Sequence, residues 1–156
     1  MKIRDLTIED FDAVNDIFMQ MQDLHVEHRP DLYRKMDKPT TTKAWDYEAS
    51  LGDGNMIMLG AEEEGKIVGF CIAEIRKAES KALVPCISVH IKNIAVNENY
   101  RRKGIGKALY QEAVIRGKAR GADRVDLKVF SFNDNAVGFY KSLGMTVQSY
   151  TMEQTV

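Results

Sequence analysis

The chain has 156 residues, of which 44% are hydrophobic and 29% charged, ordinary proportions for one globular domain with a single sizeable core. Twenty-two basic residues against twenty-three acidic leave a net charge of −1, so any basic cluster is a local device and no nucleic-acid partner is expected. No apolar run approaches the roughly 20 residues of a membrane span, and the start Met1-Lys2-Ile3-Arg4-Asp5 lacks a signal-peptide core, so the expectation is a cytoplasmic protein with no membrane partner.

In chain order, Lys2-Ile3-Arg4-Asp5-Leu6 reads as a short strand. Thr7 with Asp10 three residues later is a helix-start signature, and Phe11, Val14, Phe18 and Met21 then recur at helical spacing until Pro30. A second helix is expected from about Thr42 to Leu51, stopped by Gly52 and Gly54. Met56 to Ala61 and Lys66 to Ile75 read as a hairpin around Glu64-Gly65, and Val84 to Val96 as a strand long enough to carry a bulge. Cys71 and Cys86 lie in these apolar runs, which favours buried free thiols over a disulfide or a metal site. Ile105, Ala108, Leu109 and Ala113 mark one helix stripe ended by Gly121. Val125, Leu127 and Val129 alternate with Asp126 and Lys128 as a strand does. Asn133 is the expected N-cap of a last helix, with Ala136, Tyr140 and Leu143 on one face and Gly144 in a left-handed terminal turn. Met145 to Thr155 is expected to add one or two closing strands.

There is no repeat, low-complexity segment or linker, so residues 1–156 read as a single domain. The element order β-α-α-β-β-β-α-β-α-β predicts an α/β fold: a mixed, largely antiparallel sheet of six to seven strands with helices on both faces. Where neighbouring parallel strands splay, a crevice opens, and ligands of α/β sheets bind in such crevices.

The segment with the clearest chemistry is Arg101-Arg102-Lys103-Gly104-Ile105-Gly106-Lys107, between a strand ending in Ile94-Ala95-Val96 and the helix that starts at Ile105. Gly104 and Gly106 have no side chains to hold a ligand away, so backbone N–H groups at a helix N-terminus can point at an anion, and Arg101, Arg102, Lys103 and Lys107 add charge. Spacing excludes two familiar phosphate loops. A P-loop needs a Gly five residues before its Gly-Lys pair and a Ser or Thr after it, where this chain has Arg101 and Ala108. A dinucleotide fingerprint needs a third Gly where Leu109 stands.

The pattern Arg-x-x-Gly-x-Gly after a strand ending apolar-Ala-Val resembles the acetyl-CoA loop of the Gcn5-related N-acetyltransferase (GNAT) superfamily. Asn133-Asp134-Asn135-Ala136-Val137-Gly138-Phe139-Tyr140-Lys141-Ser142-Leu143-Gly144-Met145 is similar to that family's second signature, with Met145 where an aromatic residue is usual. The two motifs stand in the family's order about thirty residues apart and cover residues 86 to 145.

The resemblance implies an acetyl-CoA-dependent N-acetyltransferase that moves the acetyl group directly to a primary amine in a ternary complex. It implies a crevice between the strand ending at Ile94-Ala95-Val96 and the strand from Val125 to Val129. There the backbone of Ile94 and Val96 pairs with the pantetheine arm like an added strand. Arg101 through Lys107 hold the pyrophosphate, Asn133 meets the pantetheine or thioester end, and Tyr140 brings a hydroxyl to the sulfur. His90 lies four residues before Ile94, the offset at which family members carry a Glu or a His, and an imidazole suits base catalysis near neutrality. Glu74 and a water molecule are the rival bases, and whether Tyr140 protonates the thiolate or only hydrogen-bonds it stays open. Met19, Met21, Tyr33, Trp45 and Tyr47 fall where the family walls its acceptor pocket, and serve equally well as core. His25 and His28 read as a polar helix end, and Glu62-Glu63-Glu64 as a solvated turn. The acceptor is not legible beyond a primary amine, small molecule or protein; members of the family often form homodimers through their C-terminal strands. A module that binds acyl-CoA without turnover is the reading from a different class.

Overall fold

In the computed structural model, which describes residues 1–156, the apolar stretches in the middle of the chain become β2 (Met56–Glu63), β3 (Lys66–Ala78) and β4 (Cys86–Val96). β1 (Lys2–Asp5) lies antiparallel on β2, and β5 (Arg124–Leu127) lies parallel to β4. The sheet order is β1-β2-β3-β4-β5, antiparallel except for the last pair. β3 is covered on both faces, which is why its sequence from Ile67 to Ala73 is apolar without alternation.

One face of the sheet, with Met56, Met58, Phe70 and Ile72, packs against Phe11, Val14 and Ile17 of α1 (Phe11–His28) and Tyr47 of α2 (Tyr47–Leu51). The other face, with Ile57, Leu59, Cys71, Ala73, Val89 and Ile91, packs against Ile105, Leu109 and Ala113 of α3 (Ile105–Ala119). The last helix, α4 (Asp134–Ser142), follows β5. α3 comes close to β4 at Gly117, where an added Cβ would lie 2.0 Å from Val89 Cγ2.

Local chemistry explains the element ends. Asp10 accepts from the Thr7 amide at 2.8 Å and takes both guanidinium nitrogens of Arg4 at 2.7 and 2.8 Å, which secures the single 3-10 turn leading into α1. Glu64 (φ 51°) and Gly65 (φ 76°) form the two-residue hairpin between β2 and β3, the left-handed geometry that matches strand twist.

Three expectations are corrected. The helix read from Thr42 to Leu51 is one 3-10 turn and the five-residue α2, because Trp45 (φ 42°) and Asp46 (φ 59°) are left-handed. That kink lays the Trp45 ring on Phe18, 5.0 Å away and nearly parallel, so tertiary packing overrides helix propensity. The strand read from Val125 to Val129 stops at Leu127, where its ladder with β4 ends. Met145 to Val156 adds no strand, so the sheet has five strands and not six to seven. The segment is rich in Thr, Val and Tyr, yet it joins no ladder of the sheet, and propensity alone does not make a strand. The Glu153 carboxylate on Arg29 at 2.8 Å ties it back to the end of α1.

Candidate active site

The expected bulge is present, and its position shapes the site. Against β3, Ile72 faces Asn93 and Ala73 faces Ile91, so Lys92 is the extra residue on β4. The parallel ladder to β5 runs from Ser88–Arg124 to Ile91–Leu127 and ends there. Beyond the bulge, Ile94 and Val96 remain paired to Cys71 and Gly69 of β3, while the β5 side of Asn93, Ile94, Ala95 and Val96 has no strand partner. An unpaired strand edge at the mouth of two parting parallel strands can accept an extended, amide-bearing ligand.

Directly after this edge comes the basic turn. Arg102 (φ 63°) and Gly104 (φ 79°) are both left-handed, and the first hydrogen bond of α3 runs from the Ala108 amide to the Gly104 carbonyl at 3.0 Å. The amides of Arg102 through Lys107 have no acceptor within the chain. Alternating left-handed residues at a helix start gather such N–H groups into an anion-binding concavity, and the helix dipole adds positive potential. Ile105, 2% exposed, anchors the turn in the core, whereas Arg101, Arg102, Lys103 and Lys107 are exposed. Arg101 Nε donates to the Val96 carbonyl at 3.2 Å and ties the turn to the strand end. Gly106 sits where an added Cβ would touch Phe139 of α4 at 3.5 Å and Val96 at 3.8 Å, so strand, turn and α4 converge here.

On α4, Asn133 caps the helix by accepting the Ala136 amide at 3.1 Å through Oδ1, which leaves its Nδ2 free to donate. Gly144 takes the expected left-handed conformation after the helix (φ 89°). Tyr140 is half-buried and its hydroxyl makes no hydrogen bond within the chain. Burial, and then the neighbouring Cys71 and Tyr110, push its phenol well above the usual tyrosine range, so it stays protonated as an O–H donor. Burial likewise pushes the Cys71 thiol up to about 12, which makes it inert as a nucleophile.

His90 lies on the sheet face covered by α1 and α2, between Glu74 directly opposite on β3 and Asp126 directly opposite on β5. Its Nδ1 is 2.5 Å from Asp126 Oδ1. Glu74 is engaged elsewhere: its Oε2 accepts from Arg76 Nε at 2.9 Å. Asp126 was visible in the sequence as one polar residue of an alternating strand, but nothing there could reveal the register that sets it beside His90.

An aromatic cluster joins the C-terminal part of α1 to the segment that follows β5. His25 of α1 packs against Tyr33 at 4.9 Å and against Phe130 and Phe132 at 5.8 Å, while His28 stacks on Phe132 at 4.8 Å. Each histidine donates Nδ1–H to the carbonyl four residues before it, Met21 and Leu24. The polar helix end expected at His25 and His28 is therefore half of an aromatic cluster. Its other half, Phe130 and Phe132, was missed, although both continue the period-2 spacing of Asp126 and Lys128. Tyr47 belongs to the core, fully buried with its hydroxyl donating to the Thr7 carbonyl at 2.7 Å, and Trp45 packs onto the same core.

This constellation has relatives. The model of the acetyltransferase (GNAT) family matches residues 18–145. An N-alpha-acetyltransferase from Sulfurisphaera tokodaii is 39% identical over 88 residues, covering 54% of this chain and 53% of the relative. A ribosomal protein bS18-alanine N-acetyltransferase from Escherichia coli is 30% identical over 82 residues, covering 53% of this chain and 49% of the relative. The chain spans about half the length of the curated relatives it matches. The crystal structure of a mutant of the BH1408 protein from Bacillus halodurans superposes with a TM-score of 0.95 at 28% identity, covering 100% of this chain and 99% of that one. With the family match running from within α1 through α4, across the parted strands and the basic turn, the chain belongs to the acetyltransferase (GNAT) family.

Proposed function

We propose that the chain is an acetyl-CoA-dependent N-acetyltransferase acting on a primary amine by direct transfer in a ternary complex, with residues 1–156 serving as one catalytic domain. The observation that carries the reading is the continuity of an unpaired β4 edge with a turn whose amides have no acceptor. The crevice takes the pantetheine arm along Ile94, Ala95 and Val96. The amides from Arg102 to Lys107, with the basic side chains of Arg101, Arg102, Lys103 and Lys107 and the absence of side chains at Gly104 and Gly106, hold the pyrophosphate, and Asn133 Nδ2 donates to the pantetheine or its thioester end.

An alkyl ammonium of pKa about 10.4 is only about 0.04% neutral at pH 7, a deficit of roughly 4–5 kcal/mol that a base offsets in part. His90 is that base, because Glu74 is occupied by Arg76 whereas the Nε2 of His90 has no partner within the chain. The ammonium gives a proton to His90 and the neutral amine attacks the thioester carbon; the C–S bond breaks, and the second nitrogen proton passes to the departing thiolate, leaving the amide and the CoA thiol. Tyr140 donates a hydrogen bond to the departing sulfur. Full proton transfer from an ordinary phenol to an ordinary thiolate is uphill by about 2 kcal/mol, and the raised pKa of Tyr140 makes it more so, which favours the hydrogen bond.

The balanced charge supports a reading without nucleic-acid or membrane partners, and no helix is long and apolar enough to cross a membrane. Two free cysteines suit the reducing cytoplasm. A homodimer is the proposed assembly, by analogy with the family. The test is thiol release from acetyl-CoA over a panel of alanine amide, butane-1,4-diamine and 2-phenylethylamine across pH, beside calorimetry with CoA. Amine-dependent release is expected, with His90→Ala slow at neutral pH and recovering at alkaline pH. No heat with CoA would end the proposal, and an unchanged pH profile in His90→Ala would remove His90 from it.

A further inference from the structure

We infer that Asp126 is a positioning residue for His90, holding the imidazole in the tautomer a base needs; this rests on the proposed role of His90 and extends it. A carboxylate can only accept, so at 2.5 Å from Asp126 Oδ1 the His90 Nδ1 must carry the proton. The neutral ring then presents its lone pair at Nε2. A proton leaving the ammonium nitrogen bonds to Nε2, the Nδ1–H bond to Asp126 persists, and the resulting imidazolium faces a carboxylate.

The contact follows from backbone register. His90 and Asp126 are directly opposite in a parallel ladder flanked by Val89–Val125 and Ile91–Leu127, so both side chains leave the same face side by side. The pair is also partly sheltered, with side-chain exposures of 18% and 40%. Glu74 is equally placed on the opposite flank but turns to Arg76. The charged groups sharing this face of β3 and β5 are Glu74, Arg76, Arg124 and Asp126, and of these Asp126 bonds the ring.

The experiment has two arms. Nitrogen-15 NMR of the ring of His90, one of three histidines, reads the tautomer in the wild-type protein without any acceptor. The neutral form is expected as Nδ1–H, and an Nε2–H tautomer would overturn the inference. The second arm measures kcat and KM across pH with whichever of alanine amide, butane-1,4-diamine and 2-phenylethylamine supports the fastest thiol release. Asp126→Asn is expected to lower kcat by about 10- to 100-fold, within the ~10²–10⁴ that a general base contributes, with KM for acetyl-CoA unchanged and partial recovery in Asp126→Glu. In the His90→Ala background the same change is expected to do nothing further. Equal losses in both backgrounds mean that Asp126 acts without His90, which refutes the inference and spares the base. Wild-type kcat in His90→Ala removes the base itself, while the tautomer still reports on the Asp126 contact.

Discussion

Replacing Gly117 with alanine puts a methyl group where the helix and the sheet leave no room for one. The new carbon would stand 2.0 Å from Val89 Cγ2, far inside the 3.4 Å at which ordinary contact begins. Neither side yields easily. α3 is held by Ile105, Leu109 and Ala113, all at 2% exposure or less, and Val89 is 1% exposed on a strand paired along both edges. Turning χ1 of Val89 only brings its other methyl or an unfavourable rotamer into play. Overpacking of this kind costs about 1–3 kcal/mol, and alanine returns about 1 kcal/mol of helix propensity over glycine. An overlap at 2.0 Å belongs in the upper part of that range, about 2–3 kcal/mol, so the expected net loss is about 1–2 kcal/mol, or roughly 2–8 °C in Tm for a domain of this size. Urea and thermal unfolding of Gly117→Ala, Val89→Ala and the double variant form the assay. Val89→Ala alone opens a cavity that the methyl added at position 117 then fills, so the double variant is expected to be more stable than the summed singles by about 1–3 kcal/mol. A Gly117→Ala protein as stable as wild type, or strictly additive variants, would refute the close approach of α3 to β4.

Tyr140→Phe keeps the packing of α4 but removes the hydroxyl, so kcat is expected to fall by about tenfold or more while the calorimetric affinity for CoA is unchanged; wild-type turnover discards the role at the sulfur. Gly104→Ala meets nothing within 4 Å, yet its φ of 79° is left-handed, so the strain of about 1–2 kcal/mol reopens the turn. CoA affinity should drop by about tenfold in calorimetry, and undiminished binding would show that the turn geometry is irrelevant. The Arg4 guanidinium, with help from Thr7, holds the Asp10 carboxyl below the ordinary value of 3.8 despite partial burial. Its stabilisation is therefore complete above the unfolded value and is lost as pH falls through the lower folded value. Asp10→Asn should flatten the loss of stability below about pH 4, and an unaltered acid limb in urea unfolding would exclude the pair as its source.

The features that could be read early are the ones written within a few residues. Glu64-Gly65 announces a hairpin, Asn133 and Gly144 bracket α4, and Gly104 marks the left-handed turn into α3, because each depends on local φ and on hydrogen bonds to near neighbours. The two signature motifs carried the family for the same reason. Hidden from that view were the features made by distant partners. A bulge in β4 was foreseeable, but its place at Lys92, and so the point where β4 leaves β5, is set by pairing with β3. The left-handed Trp45 and Asp46 exist because an indole finds Phe18. Residues 145–156 have the composition of a strand but join no ladder of the sheet.

His90 and Asp126 show the division most sharply. Residue type and offset from Ile94 made His90 a candidate base, whereas its partner, 36 positions away, came into reach through the register of a parallel ladder. Periodicity and capping report on forces that act within a turn or two of backbone. Register, strand parting and side-chain pairing arise when the whole chain closes around its sheet, and one residue of slip would have sent either side chain to the opposite face.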